Sequence, residues 1–140
     1  MGEEWRMLSA LVGDEIGAPM HAPRGSVACL QTVTICESTV ASCLDFSHRR
    51  NTMVYPDLNF PSIMCFWEAQ RIRRAHGVKV PNDDAVHVTT ERLLDAIDDE
   101  TLIVPIAHVI VRSAFIQDVA AIVEKAHRVG AYVLLDSFQD

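Results

Sequence analysis

The chain has 140 residues, 49% of them hydrophobic, which is enough for one domain with a buried core and excludes a disordered class. Its 19 acidic residues outnumber its 12 lysines and arginines, and no basic stripe is present, so a nucleic-acid partner is excluded. No apolar run is long enough to cross a bilayer, and the acidic start is unlike a secretory signal, so the sequence predicts a cytoplasmic protein without a membrane partner.

Apolar residues recur at helical spacing from Trp5 to Ile16, so a first amphipathic helix is predicted to end at Gly17. A short strand is predicted over 26–30 because this segment is apolar and bounded by turn residues. A second helix is predicted over 35–46. The chain therefore begins with the order helix, strand, helix.

Strands and helices are predicted to alternate through the rest of the chain. In order, they are a strand over 52–55, a helix from Ser62 to Gly77, a weak strand over 78–80, a helix opening at 89–92, a strand over 101–106, a helix marked by Ile116 to Ala126 and closed by Gly130, and a strand over 132–135. Such alternation implies right-handed crossovers and a largely parallel sheet with helices on both faces, which is a three-layer α/β fold. No break in composition marks a second domain, so residues 1–140 are expected to belong to a single domain.

The four cysteines are Cys29, Cys36, Cys43 and Cys65. They form no C-x-x-C pair, and a chain without a secretory signal does not form stable disulfides. We expect them to be small buried hydrophobic residues. No metal site is predicted, because further ligands at matched spacing are missing.

Asp136 follows an apolar run, at the predicted carboxyl end of the last strand. Ligands of open α/β sheets bind outside the carboxyl ends of the strands, so Asp136 is a candidate site residue. The alternative is that its carboxylate only caps a helix after the strand.

The segment 31–34 lies between a predicted strand and the start of a helix. Free backbone N–H groups and the helix dipole favour an anion there, and the hydroxyls of Thr32 and Thr34 can add hydrogen bonds. An ordinary threonine N-cap explains the same residues equally well. The chain contains no glycine-rich dinucleotide fingerprint and no P-loop.

Four segments resemble, in the same order, the pyridoxal-phosphate enzymes of fold type I: Gly25–Thr34, Asn59–Ser62, His108–Ala114 and Leu135–Gln139. More narrowly, they are similar to the class V aminotransferase group and, within it, to kynureninases. The resemblance covers most of the chain. It implies a pyridoxal-phosphate-binding large domain, a small amino-acid substrate and a homo-oligomer, such as a dimer.

Carried over residue by residue, the resemblance assigns Val33 and Thr34 to the loop that holds the cofactor's phosphate. Phe60 matches the aromatic residue that stacks on the pyridine ring, although a core aromatic is the alternative. Asp136 matches the carboxylate that pairs with the pyridinium nitrogen and keeps it protonated.

Two further residues are implied to bind the cofactor. Gln139 matches a position near the cofactor's ring or phosphate oxygen, and His108 lies in a segment that lines the pocket. The alternative for His108 is a hydrogen-bonded histidine of the core.

The sequence departs from the family at two points. Ile63 stands where kynureninases usually carry an aspartate, and the only lysines are Lys79 and Lys125, neither of them in the family's Schiff-base motif after the aspartate. We therefore expect an incomplete large domain without the C-terminal small domain, with no catalytic residue of its own and no activity alone. Two alternatives are a small α/β binding or regulatory module, and a partner subunit to a lysine-bearing chain.

Overall fold

The computed structural model describes residues 2–82 and 84–140, with side chains from Met7 onward. In chain order its elements are α1 (Gly2–Gly17), α2 (Val33–Ser42), β1 (Thr52–Pro56), α3 (Pro61–Ala69), β2 (His76–Val80), α4 (Thr90–Ala96), β3 (Thr101–Ala107), α5 (Val119–Val129) and β4 (Tyr132–Asp136). Short 3-10 turns follow α1 and α3, at Ala18–Met20 and Gln70–Arg73. The chain divides between Cys36 and Glu37 into two compact units, which are described separately.

In the first unit, α1 ends at Gly17 as predicted, but the strand predicted over 26–30 is wrong. The segment packs on α1 instead, where a Cβ at Gly13 would lie only 2.3 Å from the carbonyl oxygen of Val27. A strand needs a neighbour for its backbone hydrogen bonds, and the described residues of this unit contain no other strand. Close packing on α1 therefore replaces strand pairing.

Helix α2 begins two residues earlier than predicted and ends four residues earlier. The hydroxyl of Thr32 accepts a hydrogen bond of 3.2 Å from the backbone N–H of Ile35, which is N-cap geometry. At the other end, the guanidinium of Arg73 donates to the carbonyl oxygen of Ala41 at 2.8 Å. An arginine distant in sequence thus binds a carbonyl of the last turn, a contact that helical spacing does not reveal.

The second unit contains a four-stranded sheet with the order β2-β1-β3-β4, in which every pair is parallel. Helices α4 and α5 cover one face, where a core cluster forms around Val54, Val104 and Ile122. Tyr55 points to the opposite face, and its hydroxyl donates to Glu68 of α3 at 2.8 Å. The predicted parallel sheet flanked by helices is confirmed.

The boundaries of α3 and β2 differ from the prediction. Phe60, not Ser62, is the N-cap residue of α3, because Pro61 occupies the first helical position that proline favours. The helical segment ends at Arg74, which has φ 71°, and not at Gly77. Strand β2 then begins at His76 and includes that glycine.

Helix α5 begins at Val119 because the carboxylate of Asp118 accepts a hydrogen bond from the N–H of Ala121 at 3.1 Å. Ile116, predicted inside this helix, instead forms an isolated antiparallel bridge with Val109. Gly130 ends the helix as predicted, with φ 79°.

The prediction that the cysteines are buried is wrong. Cys29, Cys43 and Cys65 are exposed and Cys36 is half-buried, because they lie in a loop, after a helix end or on outer helix faces. Over residues 2–82 and 84–140, no group of three or more histidine, cysteine or acidic residues could hold a metal ion. In the same ranges, no helix has the length and apolar character required to cross a membrane.

Candidate functional site

The carboxyl ends of β3 and β4 bring two predicted site residues side by side. Ala107 and Asp136 are paired in the parallel register, and the backbone N–H of His108 donates to the carbonyl oxygen of Asp136 at 2.9 Å. Both side chains are half-buried. The sequence expectation that Asp136 lies at the carboxyl edge of the sheet is therefore met, with His108 as its direct neighbour.

The carboxylate of Asp136 is largely available for a ligand. Its Oδ1 accepts a hydrogen bond of 3.0 Å from the backbone N–H of Phe138, and this is the only hydrogen bond of that carboxylate within the described part of the chain. The bond closes a turn directly after β4. One carboxylate oxygen remains to accept a proton-bearing nitrogen.

The imidazole of His108 faces the last residue of the chain. Its Nδ1 lies 2.9 Å from Oδ2 of Asp140, and this hydrogen bond holds the pKa of the Asp140 carboxyl below its usual value. A carboxylate at Nδ1 favours the tautomer with a proton on that nitrogen, which leaves Nε2 as the acceptor. Gln139 is exposed between Asp136 and Asp140.

Phe60 follows β1 at the same edge of the sheet, four residues after Pro56. The residue is 48% exposed, and its carbonyl oxygen accepts the N–H groups of Ile63 and Met64 at 3.0 and 3.1 Å. The core-aromatic alternative is therefore wrong for Phe60. An exposed aromatic ring at a helix start has a face available for stacking.

In the first unit, Val33 and Thr34 form the first turn of α2, next to Thr32 as N-cap. Their backbone N–H groups have no acceptor among the residues that the structure describes. Such groups at a helix start bind phosphate, and the Thr34 hydroxyl adds a donor. The threonine N-cap of the sequence prediction is therefore present, at Thr32.

Each of the two units, taken by itself, contains groups of a type that pyridoxal phosphate requires. The first unit offers N–H donors for a phosphate, and the second offers a carboxylate for a ring nitrogen and an exposed aromatic ring for stacking. The residues fit the cofactor in their chemistry.

Sequence reasoning missed Glu37, which is only 2% exposed. Its Oε2 accepts a hydrogen bond of 2.5 Å from the indole N–H of Trp67, while Oε1 has no partner among the described residues. Burial raises the pKa of Glu37 to about 7; the Trp67 hydrogen bond lowers it, and the charge of Asp136 raises it. The helical spacing to buried Ala41 is the sequence signal that identifies this face.

It also missed two buried carboxamides, Asn59 and Gln117. The side chain of Asn59 donates to the carbonyl oxygen of Pro105 at 3.0 Å and accepts from the N–H of Ala107 at 3.2 Å. The side chain of Gln117 donates to the carbonyl oxygen of Ala107. No local sequence pattern predicts these hydrogen bonds, because each bond joins two different segments of the chain.

Residues 20–140 match the family model described as Aminotransferase class-V. The chain is 29% identical over 126 residues to the uncharacterized aminotransferase YcbU of Bacillus subtilis, covering 90% of this chain and 33% of that protein. It is 27% identical over 139 residues to a kynureninase of Burkholderia pseudomallei, covering 94% of this chain and 32% of that protein. The chain thus spans about a third of the length of the curated relatives it matches.

Two solved structures share the fold. A mutant of C-DES with glycine covalently linked to its pyridoxal-phosphate cofactor superposes with a TM-score of 0.84 at 17% identity, over 99% of this chain and 38% of that chain. A NifS-like protein gives a TM-score of 0.83 at 17% identity, over 99% of this chain and 39% of that chain.

Proposed function

Because this chain belongs to the aminotransferase class-V family, as its resemblance predicted, we propose that it forms the cofactor-binding part of a pyridoxal-phosphate-dependent enzyme that acts on an amino acid. The observation that carries the proposal is the carboxylate of Asp136, which lies at the carboxyl edge of the sheet with one oxygen available and with His108 beside it. This is the edge where ligands of such sheets bind.

Each candidate residue has one role in the proposal. The N–H groups of Val33 and Thr34 hold the phosphate, and the ring of Phe60 stacks on the pyridine ring. Asp136 accepts a hydrogen bond from the protonated ring nitrogen and so favours the protonated ring. When bound, the cofactor supplies an electron sink for reactions at the Cα atom of an amino acid.

His108 and Gln139 are proposed as additional cofactor contacts. His108 keeps its Nε2 as an acceptor because Asp140 binds Nδ1, and Gln139 can both donate and accept through its exposed amide. These two side chains would orient polar atoms of the cofactor and exclude water from its edge.

We propose that these 140 residues lack the lysine that the family uses to bind its cofactor covalently. Lys79 is engaged in an ion pair with Asp57 at 3.3 Å, and Lys125 lies in α5, on the helix that covers the sheet. Turnover of an amino acid then requires a lysine from outside these 140 residues. A homo-oligomer, as the family resemblance implies, and a cytoplasmic location are part of the same proposal.

The substrate is proposed to be an amino acid without assignment to kynurenine. Ile63 occupies the position of the kynureninase aspartate and is only 3% exposed in α3. An apolar, buried residue cannot recognise a polar group of a substrate.

Titration with pyridoxal 5'-phosphate, followed by absorbance, tests the proposal. The protein is expected to bind the cofactor, and Asp136→Asn is expected to weaken binding at least tenfold, because asparagine keeps an acceptor for Phe138 but loses the charge. Asp118→Asn is the matched control, since it removes a carboxylate charge at the α5 cap and leaves an N-cap residue. Equal affinity for Asp136→Asn and the unaltered protein would contradict the role of Asp136.

Borohydride reduction of the cofactor-treated protein tests the missing lysine. Reduction fixes a cofactor–lysine bond, which mass spectrometry then locates. Stoichiometric labelling at Lys79 or Lys125 that is lost in Asp136→Asn would show that the chain has its own cofactor lysine. Unlabelled or randomly labelled lysines are the expected result.

A further inference from the structure

Two buried side-chain amides surround the carboxyl end of β3. Asn59, 4% exposed, donates to the carbonyl oxygen of Pro105 and accepts from the N–H of Ala107, at 3.0 and 3.2 Å. Gln117, also buried, donates from its side chain to the carbonyl oxygen of Ala107. Both polar groups that Ala107 contributes to the backbone are therefore bound by side chains.

These amides act at the carboxyl end of β3, beyond the pair that Met53 of β1 forms with Ile103. Pro105 has no N–H to donate in this part of the strand. The side chain of Asn59 supplies a donor and an acceptor on the β1 side of β3, as a neighbouring strand would. On its other side, β3 is held by β4, because the N–H of His108 donates to the carbonyl oxygen of Asp136 at 2.9 Å.

The segments held in this way carry two of the proposed cofactor contacts, Phe60 and His108. Phe60 follows Asn59 directly, and His108 follows Ala107 directly. The backbone N–H of Gln117 also donates to the carbonyl oxygen of His108 at 2.9 Å. Every side-chain bond of Asn59 and Gln117 thus ends on Pro105 or Ala107 of β3, the strand that His108 follows.

We infer that Asn59 and Gln117 form a carboxamide clamp that positions Phe60 and His108 against Asp136. Both are positioning residues, since they bind the backbone beside the proposed contacts and not the cofactor. The inference rests on the proposed function only in that the held side chains are those assigned to the cofactor ring.

Asparagine at position 59 and glutamine at position 117 suit a positioning role better than a role in core packing alone. Asn59 donates and accepts on the same strand, which requires a carboxamide; a carboxylate would place a negative charge against the carbonyl oxygen of Pro105. The Oε1 atom of Gln117 is buried and has no partner among the described residues, a cost that an apolar residue of the same length would avoid. The amide nitrogen of Gln117 nevertheless donates a hydrogen bond to the carbonyl oxygen of Ala107.

Asn59→Asp is the first test, with Asn51→Asp as its matched control. Asn51 donates to a backbone carbonyl as well, that of Arg74 at 3.0 Å, but it precedes β1 and is away from the carboxyl edge. Asn59→Asp is expected to speed hydrogen exchange of the Ala107 amide at least tenfold, to broaden the NMR signals of Phe60 and His108, and to weaken pyridoxal-phosphate binding at least tenfold. Asn51→Asp is expected to change none of these.

Gln117→Met is the second test, and it decides the question if Asn59→Asp does not fold. Methionine keeps the length and apolar stem and removes both amide atoms, so the midpoint of urea unfolding is expected to stay unchanged or rise. Cofactor affinity is nevertheless expected to fall at least fivefold. A merely structural role would change stability and affinity together.

Two results would overturn the clamp. One is unchanged exchange at Ala107 with unchanged NMR signals of Phe60 and His108 in the variants; the other is full cofactor affinity in both variants of a protein that binds the cofactor. If the unaltered protein binds no cofactor, the proposed function fails, while the exchange and NMR measurements still decide whether the clamp holds these side chains.

Discussion

The carboxyl group of Glu37 and the indole N–H of Trp67 form a buried hydrogen bond of 2.5 Å between α2 and α3. The second oxygen of that carboxyl has no partner within the described residues. Burial of the group raises its pKa to about 7. Glu37 therefore keeps its proton at pH values where an exposed glutamate is ionised.

This relationship makes the stability of the protein depend on pH. A carboxyl whose pKa is raised on folding stabilises the fold fully below the unfolded value of 4.5, and this contribution is lost as the pH rises through about 7. Between pH 4.5 and 8, the unaltered protein is expected to lose roughly 3 kcal/mol of unfolding free energy relative to Glu37→Gln. Urea denaturation at a series of pH values measures the difference.

Glu124→Gln is the control for this experiment, because its carboxylate is exposed and paired with Arg128 at the surface. Its stability curve is expected to run parallel to that of the unaltered protein over the same pH range. A Glu37→Gln curve that also runs parallel would mean that Glu37 titrates as an exposed glutamate.

Ile63→Asp introduces the residue type that kynureninases usually carry at this position. Ile63 is 3% exposed in α3, so a carboxylate there is buried without a partner. The substitution is expected to cost about 3 kcal/mol of unfolding free energy or more. The midpoint of urea unfolding, measured at neutral pH, reports the change.

Ile72→Asp provides the comparison, because Ile72 is 90% exposed in the 3-10 turn after α3. Its effect is expected to stay within about 0.5 kcal/mol. Equal stability of the two variants would show that position 63 accepts a carboxylate, and an amino-acid substrate of the kynurenine type would then regain support.

Gly130→Ala tests the end of α5. Gly130 has φ 79°, and an added Cβ would lie 2.7 Å from Nη1 of Arg50. Left-handed strain alone costs about 1 to 2 kcal/mol, and displacement of Arg50 adds to it. Thermal unfolding is expected to show a lower midpoint for this variant.

Gly25→Ala separates the two causes, since Gly25 has φ 78° but no atom within 4 Å of an added Cβ. It is expected to destabilise the protein less than Gly130→Ala does. If both variants unfold at the same temperature, contact with Arg50 contributes nothing.

The parallel sheet could be predicted because its strands and helices have recognisable local sequence patterns. Apolar runs such as 101–106 and the helical period that leads to Gly130 depend only on neighbours in the sequence. The strand predicted over 26–30 failed for the opposite reason: whether an apolar segment becomes a strand depends on a partner strand, and here the glycines of α1 offer close packing instead.

In the candidate site, too, some residues could be predicted from the local sequence and others could not. Asp136 could be placed at the sheet edge from the apolar run before it. The clamp could not be predicted, because the bond from Asn59 to Pro105 spans 46 residues and depends on which strands become neighbours. Glu37 was missed because glutamate is usually exposed, so the amino-acid type alone predicts a surface position. Its burial depends on how the helices pack.

Arg50 donates to the carbonyl oxygens of Gly130 and Val129 at 2.5 and 2.8 Å, across 80 and 79 residues of sequence. During synthesis at about 5 to 20 residues per second, this guanidinium emerges roughly 4 to 16 seconds before the carbonyls it will bind. The last turn of α5 is therefore bound by an arginine that already waits in the chain, and β1 and β2 can pair before that turn has been made.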